Sequence, residues 1–150
     1  MPQEPKRITV RSDADYLSVL SQAVFQSGIS WRVVEAKWPG TVKAFEGFDP
    51  TKVANLTPTQ VNALTEDTRL IRNRRKIEAT VDNAETMLAL AKEHGTFKKY
   101  LRSFPSYDDL QTDLVKRFKF LGPTGAYWFL YVVKEKVPDW EGWHAQYGRR

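Results

Sequence analysis

The segment Phe118-Lys119-Phe120-Leu121-Gly122-Pro123-Thr124 lies between two stretches that are predicted to be helices. Leading up to its first residue, apolar residues recur at helical spacing at Tyr107, Leu110, Leu114 and Phe118. Within it, the glycine and proline mark a turn and the start of a second helix. Two helices joined by a tight glycine turn form a helix-hairpin-helix, whose turn and second N-terminus can present backbone N–H groups to a DNA phosphate. A plain connection between two helices is the alternative interpretation.

The second of these helices is the run from Ala126 to Val133, which is nearly all apolar. Its aromatic and β-branched residues would also suit a buried strand. No second strand is predicted that could pair with it, so a buried helix is the better interpretation. The clearest helix is predicted at about residues 73–94, with Gly95 as its C-cap. Its apolar stripe has spacings of four, three, four and three, at Ile77, Val81, Ala84, Leu88 and Ala91.

Capping residues mark the other helix starts. Ser12 precedes an acidic first turn and predicts a helix that Gly28 ends. Asp49-Pro50 and Thr57-Pro58 each place a capping side chain before a proline at the first helical position. Each pair therefore predicts a short helix.

A further helix is predicted from Trp31, stopped by Pro39-Gly40 and followed by another short helix through Phe45. No segment shows convincing strand alternation, so the fold class is predicted to be all-α. We expect residues 1–11 to be a flexible basic arm and residues 12–150 to form a single helical domain.

Composition excludes several kinds of site. The 150 residues include no cysteine and only two histidines, His94 and His144, which disfavours a thiolate or histidine-rich metal site. Carboxylates alone could bind Mg²⁺ or Ca²⁺, but no loop shows such a ligand pattern, so we expect no metal and no cofactor. No apolar run approaches the about 18–20 residues that cross a membrane, and residues 1–10 show no secretory leader. We therefore expect a cytoplasmic protein, and we expect a monomer. The net charge of +5 favours a polyanionic partner, although many basic proteins bind no nucleic acid.

Five cations lie within eight residues at the start of the long helix: Arg69, Arg72, Arg74, Arg75 and Lys76. Because the helix dipole is positive at this end, cations there are unfavourable unless another interaction offsets the cost. Contact with phosphate is one such interaction. The alternative is a solvated turn in which the arginines pair with Glu66, Asp67 and Glu78.

Four segments together resemble the DNA-3-methyladenine glycosylase I family, in family order and at family-like spacing over about residues 15–140. The first, Gln26-Ser27-Gly28-Ile29-Ser30-Trp31, resembles the family's Gln-Ala-Gly-Leu-Ser-Trp. The second, Phe48 to Ala54, is similar to the family's Phe-Asp-Pro-x-Lys-Val-Ala. The third, Leu70 to Ala79 with Asn83-Ala84, is similar to Ile-Ile-Arg-Asn-Arg-Lys-Ile-x-Ala. The fourth, Phe118 to Thr124, is similar to Phe-Lys-Phe-Val-Gly-Pro-Thr.

The resemblance implies a helix-hairpin-helix DNA glycosylase-like helical bundle, with duplex DNA across the hairpin and a damaged base flipped into a pocket. It implies base-excision repair by cleavage of the N-glycosidic bond, in association with a bacterial nucleoid. Trp31 would be an aromatic wall of the base pocket, with a place in the core as its alternative role. Gly28 and Ile29 would lie at the loop that fills the gap in the duplex. The predicted DNA-binding residues are Gly28, Ile29, Arg72, Arg74, Arg75, Lys76, Lys119, Leu121, Gly122 and Thr124.

The sequence departs from the family in three places. The pocket glutamate that hydrogen-bonds the flipped base in the family is Ala23 here. Nothing in residues 1–15 matches the family's N-terminal aromatic segment. The family's zinc, held by two cysteines and two histidines, cannot be held here without cysteine. We expect three aromatic residues to fasten the C-terminus instead: Trp140, Trp143 and Tyr147.

Three functions remain open at this stage. The first is a monofunctional DNA N-glycosylase, without lyase activity because no lysine lies at a convincing nucleophile position. The second is a non-catalytic DNA-binding module that kept the scaffold and lost the pocket. The third, a protein-interaction domain with an incidental basic face, is disfavoured by the hairpin and the basic run.

Overall fold

The computed structural model describes residues 4–147, and within them the chain forms helices and no strand. The prediction of an all-α fold is confirmed. A short 3-10 turn at Glu46–Phe48 joins two of the helices. The α-helices are α1 Asp13–Gln26, α2 Trp31–Ala44, α3 Pro50–Ala54, α4 Pro58–Thr65, α5 Arg74–His94, α6 Phe97–Leu101, α7 Tyr107–Arg117, α8 Pro123–Val132 and α9 Trp140–Tyr147.

The predicted caps start the short helices. The Asp49 carboxylate accepts from the N–H of Thr51 at 2.9 Å, and Pro50 takes the first helical position of α3. Thr57 and Gln60 form a reciprocal capping box at the start of α4. Such a cap contributes about 1 kcal/mol, so these starts are determined locally.

The predicted break at Pro39-Gly40 is wrong, because α2 continues through it to Ala44. A proline inside a helix loses one backbone hydrogen bond and costs about 3 kcal/mol. Tertiary packing on both sides of Pro39 offsets that cost. Trp38 stacks on Phe48 at 5.4 Å, and the backbone of Arg69 passes so close to Gly40 that a β-carbon there would lie 3.0 Å from its carbonyl oxygen.

The core is built around two central helices. The long helix α5 packs against α1, α3, α4 and α6, and α8 packs against α1 and α7. Seven of the ten residues of α8 are buried, as expected for an apolar run with no solvent face. The helices α1 and α8 pack closely at Ala23 and Gly125, where a β-carbon added to the glycine would meet that of the alanine at 3.6 Å.

An aromatic cluster holds α9 against α8. The ring of Trp143 stacks on Tyr127 with centroids 4.0 Å apart and planes 3° apart. Trp140 packs on Tyr131 at 5.7 Å, and the Tyr127 hydroxyl donates to the carbonyl of Pro138 at 2.6 Å. Two of the three C-terminal rings therefore pack on α8, and their stabilising effect stays a prediction, while the side chain of Tyr147 lies outside the described structure.

The N-terminal segment runs beside the C-terminal end of α8. Ile8 donates to the carbonyl of Val132 at 2.8 Å. Arg7 donates to the carbonyl of Tyr131 at 2.9 Å and lies 4.6 Å above its ring. The separation of a flexible arm (1–11) from a helical domain stays a prediction. Within the described chain, no helix is long and apolar enough to cross a membrane.

Candidate nucleic-acid interface

The hairpin of α7 and α8 is held by one buried side chain of α5. Asn83 accepts from the N–H of Lys119 at 2.8 Å and donates to the carbonyl of Lys119 at 3.1 Å. Both polar ends of the carboxamide are used, although Asn83 is fully buried. The turn is therefore fixed to α5 by backbone contacts that no change in its own side chains would remove.

The start of α8 offers backbone donors at the surface. Gly122 is the N-cap, and no side chain caps this helix. Pro123 has no N–H, so the N–H groups of Thr124 and Gly125 are the first that the helix directs outwards. Gly122 and Thr124 lie at this helix start, and their part in binding a phosphate stays a prediction. Leu121 is buried, so only its backbone can take part.

The arginines of the basic run, around the start of α5, do not all follow one of its two interpretations. Arg69 pairs with Asp67 at 2.6 Å, as the solvated-turn interpretation predicts. Arg74 donates to Asn62 at 2.7 Å and lies 3.7 Å from Glu78. Arg72, Arg74 and Arg75 are all exposed. These three guanidinium groups are accessible to a phosphate.

Lys76 has a different role from the one the sequence predicts, since its side chain is only 4% exposed. Its ammonium donates to the carbonyl of Phe25 at 3.1 Å and to the carbonyl of Ser27. Burial lowers the pKa of this amine. The prediction that Lys76 contacts DNA is corrected: it is turned inwards, towards the negative end of the α1 dipole, where a cation is favourable.

The loop between α1 and α2 projects from this lysine-held end. Gly28 has a φ of +77°, a conformation in which a side chain would be strained. Ile29 follows with 37% of its surface exposed, and Val33 on the next helical turn is 48% exposed. Such apolar exposure suits the predicted role of the loop in filling a gap in a base stack.

The residues predicted for the base pocket meet at α8. Trp31 is partly buried and packs edge-to-face on Trp128 with ring centroids 5.6 Å apart. Ala23 is buried beside Gly125, and a β-carbon on that glycine would lie 3.1 Å from Leu121. The position of the family's glutamate is therefore occupied by helix packing and carries no polar group.

The residues of this chain do not fit the zinc site of the related family. Within residues 4–147, no three His, Asp or Glu side chains are grouped as metal ligands would be. The stacked rings of Tyr127 and Trp143 hold the C-terminal helix instead.

A separate groove of about 540 Å³ lies at the other end of α8. Its two arginines are already engaged, because Arg7 binds the carbonyl of Tyr131 and Arg102 pairs with Glu135 at 3.1 Å. None of the predicted DNA-binding or pocket residues lines it. We therefore place the candidate site at the hairpin.

Two contacts join the predicted segments into one face around the first turns of α5. The Lys76 ammonium donates to the carbonyl of Ser27, at the start of the α1–α2 loop. Its neighbour Arg75 lies 5.7 Å from the ring of Phe120 in the hairpin turn. We use the name hairpin face for three parts of the surface together: the loop 28–31, the arginines Arg72, Arg74 and Arg75, and the turn 119–124. Sequence reasoning missed Asn83, Phe120 and Trp128, although the first two lie within or beside the quoted motifs.

The fold and the site together define a class of protein: an all-helical domain that carries a helical hairpin and a cationic helix start on one face. The sequence model of the methyladenine glycosylase family matches residues 7–117. The chain belongs to this family.

Curated relatives agree with this assignment. The chain is 36% identical over 89 residues to the DNA-3-methyladenine glycosylase of Haemophilus influenzae, covering 59% of this chain and 48% of the relative. It is 32% identical over 126 residues to DNA-3-methyladenine glycosylase 1 of Escherichia coli, covering 70% and 67%. The chain thus spans about half the length of the first relative and two thirds of the second.

Solved structures are similar in fold. One is 3-methyladenine DNA glycosylase I from Staphylococcus aureus, with a TM-score of 0.73 and 26% identity, covering 84% of this chain and 78% of that one. A solution structure of a 3-methyladenine DNA glycosylase I gives a TM-score of 0.71 and 27% identity, covering 86% and 78%.

Proposed function

We propose that this protein is a monofunctional DNA N-glycosylase that releases 3-methyladenine, or a similarly alkylated base, from duplex DNA. One observation carries the proposal: α5 brings the exposed loop at Ile29 and the hairpin at Gly122 onto one cationic face through Lys76 and Asn83. A protein that extrudes a base must hold the backbone and fill the gap at the same time.

The missing carboxylate at Ala23 is compatible with this chemistry. A base methylated at N3 carries a positive charge and is already a good leaving group, so the transition state requires little acid catalysis. In the proposed reaction, the oxygen of a water molecule bonds to C1′ of the deoxyribose. The C1′–N bond breaks, its electron pair neutralises the base, and the water loses a proton to the surrounding solvent. The protein's part is to bind the base beside Trp31 and orient the strand.

The relatives support the proposed substrate and location. Both curated relatives are named for 3-methyladenine and come from bacteria. We infer that this protein acts on the chromosomal DNA of a bacterial cell, as a monomer.

The deciding experiment is incubation of the full chain with alkylated duplex DNA, with released bases identified by mass spectrometry. We expect release of 3-methyladenine and of no undamaged base. The Trp31→Ala variant should release less, and Trp31→Phe, which keeps an aromatic ring, should release more than the alanine variant. Salt-sensitive duplex binding without release of any base would show instead that the protein is a binding module.

Binding itself is tested by salt dependence. Each phosphate contact that is removed should reduce the slope of log Kd against log salt by about 0.9. We therefore expect flatter slopes for Arg74→Ala and Arg75→Ala. Lys92→Ala is the matched control, because it removes a charge from the exposed surface at the other end of α5. An equal effect of all three variants would mean that only net charge matters.

A further inference from the structure

Phe120 combines two features that are each unfavourable for a residue on a free surface. Its φ is +58°, in the left-handed region where a β-carbon is strained. Its side chain is also 41% exposed. A glycine would adopt this turn without strain and would expose no apolar ring, so the phenylalanine is not explained by the stability of the turn.

Phe48 shows what normally offsets such strain. Its φ is +59°, almost the same, but its ring is fully buried. It stacks on Phe45 at 4.9 Å and on Trp38 at 5.4 Å, so burial in the core stabilises the strained backbone. The ring of Phe120 instead stays partly in solvent, with the guanidinium of Arg75 5.7 Å from its centroid.

The surroundings of the ring indicate what it contacts. On one side stands Arg75, a cation accessible to phosphate. Along the chain, the uncapped start of α8 follows at Gly122 and Pro123, and its N–H groups also suit a phosphate. The ring thus has a cation beside it and N–H donors a few residues further along the chain. A DNA strand presents phosphate, deoxyribose and phosphate in turn.

We propose that Phe120 is a DNA-contacting residue that packs its ring on a deoxyribose between the two phosphates held by Arg75 and by the start of α8. This inference rests on the proposed function, and it adds an apolar contact to the polar contacts with the DNA phosphates. The ring also limits the positions that Arg75 can adopt, through the attraction of a cation to an aromatic face.

The test is Phe120→Gly in the full chain, with binding measured to a duplex that contains a tetrahydrofuran abasic-site analogue. The thermal midpoint should stay unchanged or rise, because the strained backbone relaxes. The Kd of the variant should be about tenfold higher than that of the wild type, as expected when an apolar ring that is buried on binding is removed. Phe120→Leu, which keeps apolar surface, should lose less affinity than the glycine variant.

Phe48→Gly is the control for the backbone change, and it should lower the thermal midpoint because its ring belongs to the core. Equal binding by Phe120→Gly and the wild type would overturn the inference, as would a large loss of thermal stability in Phe120→Gly. If the wild type fails to bind any duplex, the proposed function and this inference fall together. If the wild type binds duplex and Phe120→Gly binds it equally well, only the inference about the ring fails.

Discussion

The side chain of Asn83 makes two hydrogen bonds to the backbone of a single residue, Lys119, across 36 positions of sequence. One holds the N–H of Lys119 and the other its carbonyl, so the hairpin turn can neither slide nor rotate on α5. The neighbouring Asp82 pairs with the Lys119 ammonium at 2.6 Å, at the exposed surface. The position of the turn therefore depends on the buried amide more than on the ion pair.

Asn83→Ala should destabilise the fold and weaken DNA binding together. The two backbone groups of Lys119 would lose their partner on α5, at a cost of about 1 kcal/mol each. Urea unfolding and duplex titration measure the two effects. Asp82→Asn is the control: it should change stability by less than about 1 kcal/mol and should tighten DNA binding, because it frees the Lys119 ammonium. Equal effects of the two variants would contradict this assignment.

Lys76→Met should loosen the loop at Gly28 and Ile29. The carbonyls of Phe25 and Ser27 would lose the ammonium that holds them. Amide hydrogen exchange at residues 28–31 should become faster, and the preference for abasic over undamaged duplex should fall. Arg75→Met makes the same replacement on the exposed neighbour and should leave exchange in the loop unchanged. A loop equally protected in both variants would argue against this role.

Ala23→Glu should destabilise the protein rather than restore a pocket carboxylate. The alanine is buried where α1 approaches Gly125, so a carboxylate there would be an uncompensated buried charge. We expect a loss of about 3 kcal/mol or more in the free energy of unfolding. Ala23→Gln has a similar volume without the charge and should be less destabilising. Unchanged stability of the glutamate variant would reveal room at this position.

Trp143→Ala should lower the free energy of unfolding by about 3–5 kcal/mol, the usual cost of deleting a buried aromatic ring. Truncation after Val137 should lower the thermal midpoint as well, because it also removes Trp140. A chelator such as EDTA should leave the midpoint of the wild type unchanged. A midpoint that falls with chelator and not with either variant would show that a metal fastens the C-terminus.

Stability should fall at alkaline pH. Burial raises the pKa of Tyr127 to about 12, and burial also raises the pKa values of Tyr16, Tyr100 and Tyr131. A raised pKa contributes stability that is complete below the unfolded value near 10 and is lost as the pH rises towards the folded value. The lowered pKa of Lys76 acts in the opposite direction, but it is one group against four.

The measurement is the free energy of unfolding by urea between pH 9 and pH 11.5. Tyr127→Phe removes one of the four phenols and should give a shallower decline than the wild type. An identical slope in the variant would mean that Tyr127 does not contribute to the pH dependence.

Local chemistry determined much of this fold from the sequence. The cap at Asp49 and the capping box at Thr57 start their helices through contacts within four residues, and the apolar stripe of α5 has a period that only a helix satisfies. The turn before α8 was equally visible, because Pro123 marks the first position of a helix, although the left-handed backbone lies at Phe120 and not at Gly122. The predicted hairpin and long helix are accordingly present.

Tertiary structure alone decided three other features, since each depends on residues far apart in sequence. The packing of Trp38 on Phe48 carries α2 through Pro39. The carbonyls at the end of α1 turn Lys76 inwards, away from the arginines beside it. Asn83 becomes the support of a turn 36 residues away. A sequence shows that a residue is charged or polar, but whether it meets solvent or a buried carbonyl depends on which helices pack against it.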